Sequence, residues 1–441
     1  MVKGKQALPA KRVSLGPLSI IRRWKVLDKQ RVVITGMGVI TSLGLNVEEC
    51  WEGLVSGNSG IDYISHFDAS NFPIKVAAEV KDFDPTKYVD EKVVDRTPRC
   101  VPFGLAAIGQ AVTSAGLDMT KEIPERVGVV ATNSIENDYI VTQNEVFQVR
   151  GAKRADPLFI TKASPTVMSI QAGMFLGARG PNISVNSLCA SGADAIGNAL
   201  KQIRLGSADV MIAGGADASL EPISLAGLNI LGALTRETDP AKACRPFDLN
   251  RSGFVYGEGA GMMVLETYEH AKKRGAPILA ELAGAAWSFD AYDSTAPYSE
   301  TEATAMSLAI KDAGVTPEEV DYINAHGTST RLNDSGETKA IKIVFNDRAY
   351  KIPMSSNKSM LGHAIAATGA IEAIASVLMI NNNIITPTIN YETPDPECDL
   401  DYVPNVARQA EVNVCLSNSF GLGGQNCCLV IKRFSTEEMK G

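Results

Sequence analysis

One stretch constrains this chain more than any other: SLCASGADAIG, residues 187–197. The run ending in Ile183, Ser184 and Val185 reads as the end of a buried strand. Behind it, Ala193, Ile196, Leu200 and Ile203 recur at helical spacing. Cys189 therefore belongs in the turn that opens a helix. Free backbone N–H groups and the positive end of the helix dipole meet there and favour an anion. A thiol so placed is expected to ionise more readily than a free one, which is how a cysteine nucleophile is prepared. The competing reading is a small, buried, apolar cysteine.

Strand and helix alternate along the rest of the chain. Arg31 to Gly44, RVVITGMGVITSLG, reads as a strand running into a Gly-rich turn. Thr41 stands where a dinucleotide fingerprint needs its third glycine, so the turn is read as structural. Helical runs lie near Glu48–Val55 and Phe103–Ala115, and a strand at Val127–Thr132. Residues 133–165 are polar and weakly periodic, an excursion from the core that suits a partner-facing segment. A helix resumes at Gln171–Gly177, and VMIAG (210–214) is a buried strand. GFVYGEGAGMMVLE (253–266) starts as a Gly-rich bend and ends as a strand, without the GK[ST] of a phosphate loop. Then come a helix at Thr301–Ala313 and a strand at Val320–Ala325 that delivers His326 at its end. A helix carrying Asp334 and Glu337 runs to Phe345, followed by a short strand at Pro353–Ser356 and an apolar helix at Gly369–Ile380. Val412–Ser417 and Asn426–Lys432 are strands joined by SFGLGG. Such alternation in both halves predicts an α/β fold with largely parallel sheets covered by helices.

The net charge of −8 argues against a nucleic-acid partner, and no run approaches the ~18 apolar residues of a membrane span. None of the eight Cys forms a CxxC pair, and with four His no metal-ligand spacing occurs. Scattered, unpaired Cys suit a reducing compartment, expected to be the cytoplasm. Residues 1–30 carry no acid before Asp28 and lack the apolar core of a secretory signal. They read as a basic leader or arm outside the fold, with organelle import as an alternative use. Residues 435–441 read as a tail.

Two of the four His occupy small-residue, Gly-rich contexts: NAHGTST (324–330) and SSNKSMLGH (355–363). His66, in a polar loop, and His270, in a charged helix, read as surface residues. A Cys with one His suggests a protease-like pair. A second His, a Lys in a tight loop and a Gly-rich turn suit carbon–carbon bond formation on thioesters instead.

With those motifs in order, residues 31–433 resemble the elongating β-ketoacyl-acyl carrier protein synthases, the KAS II-like condensing enzymes of the thiolase superfamily. The resemblance rests on RVVITGMGVITSLG, CASG, RPFD…GFVYGEGAG, NAHGTST, NKSMLGH and NSFGLGG. It implies a five-layered αβαβα fold of two similar halves, 31–284 bearing Cys189 and 285–434 bearing both His. By position, Cys189 resembles the nucleophile that takes an acyl chain from a carrier protein's phosphopantetheine arm. His326 and His363 resemble the pair that binds the malonyl thioester carbonyl and supports decarboxylation. The backbone N–H groups of Cys189 and Phe420 resemble an oxyanion hole, and Lys358 with Glu372 an ion pair behind the histidines. Lys358 is expected to hold the far nitrogen of His363. Asp334 and Glu337 resemble acidic support. Thr328 and Thr330, with Thr295 a weaker candidate, resemble pantetheine-binding hydroxyls. Phe420 resembles a gate over the acyl pocket and Ile135 a cap on its floor. No metal or redox cofactor is implied.

The implied partners are an acyl carrier protein and a second subunit, either another copy or a related chain-length factor. Three positions depart from the family pattern: Gln425, where Thr is usual; Asp293, often His; and Gly232, where many relatives carry an Arg facing the carrier. These departures favour a specialised polyketide or polyene pathway over housekeeping fatty-acid elongation. Arg22, Arg23, Arg150, Lys153 and Arg154 are candidates for a substitute basic patch. The alternatives are a synthase active only with its partner, a non-catalytic partner subunit, and a thiolase, which would want a second reactive Cys.

Overall fold

The computed structural model describes residues 29–435. The leader before residue 29, with Arg22 and Arg23, and the tail beyond residue 435 lie outside the described residues. Ten strands carry the architecture. In the first half these are β1 (Val32–Thr41), β2 (Val127–Asn133), β3 (Asn182–Ile183), β4 (Val210–Asp217) and β5 (Gly259–Thr267). In the second they are β6 (Ala280–Phe289), β7 (Tyr322–Asn324), β8 (Met354–Ser355), β9 (Val414–Gly421) and β10 (Gln425–Lys432). Spatial order is β3-β2-β4-β5-β1 and then β6-β10-β9-β7-β8. Each half has two parallel pairings, β2 with β3 and β4, and β7 with β8 and β9. Each also has two antiparallel ones, β5 with β4 and β1, and β10 with β9 and β6. The two halves thus repeat one pattern, joined through Val33↔Glu281 and Ile34↔Ala280.

Helices fill three layers. Outside the first sheet lie α1 (Cys100–Ser114) and, further along, α2 (Asn137–Arg150) and α3 (Val167–Leu176). In the middle, α4 (Ser191–Arg204) and α8 (Ile365–Asn382) pack on each other and against both sheets. After α5 (Pro222–Leu231) in the first half, α6 (Ser299–Ala313) and α7 (Arg331–Phe345) cover the outer face of the second sheet. Three apolar cores follow from this layering, one between the sheets and one beneath each outer layer. Among the described residues only α8 is long and apolar enough to cross a membrane, and 78% of it is buried between the sheets.

Several expectations change. The sheets are mixed rather than largely parallel. The three-residue link from β9 to β10 leaves only an antiparallel pairing open to them. The glycines of RVVITGMG lie inside β1, not in a turn: a Cβ on Gly36 would sit 2.0 Å from the Ala111 carbonyl of α1. Ile183 belongs to a two-residue, partly exposed edge strand, and Ser184 and Val185 lie beyond it. The expected boundary after residue 284 falls inside β6, and the halves divide before Ala280. The excursion over 133–165 contains α2, none of whose residues is buried.

The middle layer depends on close backbone contact. A Cβ on Gly192 of α4 would lie 2.7 Å from the Ala370 nitrogen, and one on Gly369 of α8 the same distance from the Ala193 nitrogen. Gly192→Ala should therefore cost about 1–3 kcal/mol of stability. Gly109→Ala, on α1 with open space around it, should cost nothing. Chemical denaturation of the two variants checks the contrast.

Candidate active site

Three chain segments deliver the reactive groups to one point in the middle layer. Cys189 sits in a single 3-10 turn, Leu188–Ala190, that runs straight into α4. Leu188 holds a left-handed φ of 51°, a strained conformation worth about 1–3 kcal/mol for a non-glycine residue. His326 follows the end of β7, and His363 lies between the one-turn helix Lys358–Leu361 and α8. The Cys189 sulfur and one nitrogen of each ring lie within 4.8 Å of one another. The two rings are 5.6 Å apart and nearly perpendicular.

Burial sets the charge state. It pushes both imidazoles well below the ordinary histidine range, aided by the Lys358 charge, so both are neutral at pH 7. Lys358 Nζ donates to the His326 carbonyl and to Glu372 Oε1, each at 2.6 Å, and lies 3.4 Å from His326 Nδ1. The expected contact of Lys358 with His363 is thus replaced by one with His326. The His363 Nδ1 partner is Thr368 Oγ1 at 3.0 Å, one turn into α8. His363 Nε2 is buried and has no partner.

The thiol also differs from expectation. Burial raises the Cys189 pKa, and this outweighs the Leu422 N–H and the Lys358 charge, which pull it down. The helix start alone does not ionise the sulfur, because the surrounding core desolvates the thiolate. The SFGLGG turn reaches the Cys189 turn because Gly421 has no side chain: a Cβ there would lie 2.5 Å from the Ser187 carbonyl. Phe420 is buried, its ring edge-on to His326 at 5.7 Å.

The acidic residues are structural supports. Glu337 accepts from the His326 and Gly327 N–H groups at 2.9 and 2.8 Å and from Asn418 Nδ2 at 3.0 Å, which holds the His326 loop rigid. Asp334 accepts from the Phe247 N–H at 2.8 Å and faces the buried Arg251 at 3.5 Å. Thr328 and Thr330 share a 2.8 Å hydrogen bond just past His326. Thr295 lies on an exposed loop, held by Asp293, and Ile135 is half-buried between β2 and α2. Gly232 caps α5 with a left-handed φ of 75°, a local reason for glycine there.

Thr368, Leu422, Asn418 and Glu302 escaped the sequence. Their letters are ordinary in helices and turns, and only packing aims them inward. Glu302, on α6, is the least expected: it is fully buried and neither carboxyl oxygen has a partner. Burial, then repulsion from Glu337, raises its pKa well above the ordinary value. The folded chain therefore keeps a proton that the unfolded chain releases above about pH 4. Stability attributable to this group is full below that pH and falls as pH rises. Glu302→Met should stabilise by about 1–3 kcal/mol, more near pH 8 than near pH 5. Thermal melts at the two pH values check this.

Residues 29–271 match the Beta-ketoacyl synthase, N-terminal domain, family, and residues 279–392 the Beta-ketoacyl synthase, C-terminal domain, family. The two matches meet where the fold divides. A 3-oxoacyl-acyl-carrier-protein synthase 2 of Coxiella burnetii is 44% identical over 411 residues, covering 92% of this chain and 99% of that protein. Its counterpart in Synechocystis is 43% identical over 412 residues, with the same coverage. Among solved structures, the ishigamide ketosynthase/chain length factor superposes with a TM-score of 0.86 at 37% identity, over 92% of this chain and 100% of that one. A beta-ketoacyl synthase from Burkholderia phymatum also gives 0.86, at 34% identity and the same coverage. The chain belongs to the β-ketoacyl synthase family, the carbon–carbon bond-forming acyltransferases of the thiolase-type fold.

Proposed function

We propose that the chain moves an acyl group from an acyl carrier protein onto Cys189 and condenses it with a malonyl thioester, losing carbon dioxide. The observation that carries this is one thiol and two neutral imidazoles within 4.8 Å of one another. Lys358 is a donor only, so it leaves His326 Nδ1 as acceptor and the ring proton on Nε2. Thr368 can do the same for His363. Two Nε2–H groups then meet the malonyl thioester oxygen as it becomes negative. The carboxylate carbon–carbon bond breaks, its electron pair becomes the enolate, and carbon dioxide leaves. The enolate carbon attacks the acyl-Cys189 carbonyl. The backbone N–H groups of Cys189 and Phe420 stabilise the oxyanion. Its collapse expels the Cys189 thiolate, which takes up one proton.

Around this centre, Thr328 and Thr330 bind the pantetheine arm, with Thr295 further out, and Ile135 bounds the acyl chain. Exposed Arg150, Lys153 and Arg154, at the end of α2 and in the turn beyond it, offer the acidic carrier a basic surface. A solved complex related to this chain is described as a type II PKS acyl-carrier protein with its ketosynthase, at 34% identity. A second subunit covers the apolar side chains left exposed on α3 and α5, Ile170, Met174, Phe175 and Ile230 among them. It is another copy of this chain or a chain-length-factor relative, and the latter fits a polyketide or polyene product. A thiolase reading finds no support, since both positions beside Cys189 are His.

Incubation with acyl-carrier protein should add the acyl mass to the wild type and not to Cys189→Ala. An unchanged adduct on the variant overturns the assignment. Mass spectrometry of products from malonyl-carrier protein and a ladder of acyl primers, with and without a candidate partner subunit, then identifies chain length and pathway. Thr368→Val should slow malonyl decarboxylation roughly tenfold while acyl loading continues at its normal rate. Carbon dioxide release and adduct formation, timed separately, check the split.

A further inference from the structure

We infer that Glu372 stores the proton of Cys189 while the acyl group is in place, receiving and returning it through Thr368 and one buried water. The inference rests on the proposed acylation of Cys189. Thr368 and Glu372 stand four residues apart on α8, so their side chains are neighbours on one face of that helix. Both line, with Lys358, a cavity of about 10 Å³, the room of a single water. Glu372 Oε1 accepts from the Lys358 ammonium at 2.6 Å, while Oε2 is buried and has no partner. A polar cavity beside an unpaired carboxyl oxygen is where a buried water belongs.

The two imidazoles differ in what holds them. His326 Nδ1 faces Lys358, which only donates, so that ring keeps its proton on Nε2. His363 Nδ1 faces the Thr368 hydroxyl at 3.0 Å, which can donate or accept, so that ring is free to change tautomer. With Nδ1 engaged there, the unpartnered Nε2 is the nitrogen open to the sulfur. Glu258 lines the same cavity, but Arg99, His66 and the Val80 N–H already occupy its oxygens. Burial pushes the Glu372 carboxyl up to about 7 against the pull of the Lys358 charge, with Glu337 adding to the rise. Both of its protonation states are therefore within reach near neutral pH.

In acylation, the Cys189 S–H bond breaks as sulfur attacks the acyl thioester, and an N–H bond forms at His363 Nε2. The Nδ1 proton passes to Thr368, the Thr368 proton to the water, and a water proton to Glu372 Oε2. Ring, hydroxyl and water end neutral, and one proton has moved from sulfur to carboxylate. The departing pantetheine sulfur takes its proton from solvent. His363 now carries the Nε2–H that the malonyl oxygen requires. In condensation every transfer reverses: Nε2 returns a proton to the expelled thiolate, and Glu372 is ionised again. The site then draws no proton from solvent as carbon dioxide leaves.

The test counts protons by stopped flow with an indicator dye in weak buffer, using the full chain and acyl-carrier protein, with adduct mass read on the same sample. Wild type should take up about one proton from solvent for each acyl group loaded, since the thiol released is protonated near pH 7. Thr368→Ser should keep this uptake. Thr368→Val should form the adduct without it, because the Cys189 proton then leaves on the pantetheine sulfur. A merely structural Thr368 would change rates and leave the count alone. Infrared difference spectra should show a protonated carboxylic acid appearing when wild type is acylated, and none in Thr368→Val. Adduct without proton uptake in wild type, uptake that persists in Thr368→Val, or no new carboxylic-acid band overturns the inference. Failure of wild type to form any adduct overturns instead the acylation reading on which it rests.

Discussion

The chemistry of this chain depends on how closely two helices approach in the middle layer. Gly192 of α4 and Gly369 of α8 let the backbones touch, and each helix start carries a reactive residue beside it. Cys189 sits one turn before α4 proper and His363 just before α8. A side chain at either glycine would drive the helices apart and separate thiol from imidazole. The repeated strand order of the two halves makes the arrangement natural. The same sheet pattern presents one central helix from each half, and the two starts meet at the shared face.

Having met there, the groups are governed by desolvation. The core that excludes water also removes charge from both imidazoles and raises the Cys189 thiol. A neutral ring with a fixed proton donates to a developing oxyanion without first shedding its own charge. One buried charge pair remains, Lys358 with Glu372. Such a pair adds little net stability, but it orients His326 through both its carbonyl and its ring. Glu337 completes the hold by binding two consecutive N–H groups of the same loop.

Much of this was legible in the sequence. The strand at Val127, the helices at Thr301 and Gly369 and the strand at Asn426 declare themselves by period and by β-branched runs, which are local properties. The turn that holds Cys189 before its helix was legible for a related reason: small residues lie between the preceding run and a helical period. Errors arose where an outcome depends on distant packing. Gly36 looked like a turn because its tight neighbour, the Ala111 carbonyl, lies far along the chain. The mixed pairing of each sheet follows from how β9 and β10 fold back, which alternation of elements does not reveal.

The sequence by itself determined the element types, the family motifs and the identities of Cys189, His326, His363 and Lys358. Only the tertiary structure decided which of those groups touch. Lys358 serves His326 rather than His363, Thr368 supports the other ring, and desolvation raises the thiol rather than lowering it. The physical reason is that hydrogen bonds and desolvation act through space over a few ångströms. Residue order along a chain does not encode distances between segments that meet only after the layers have packed.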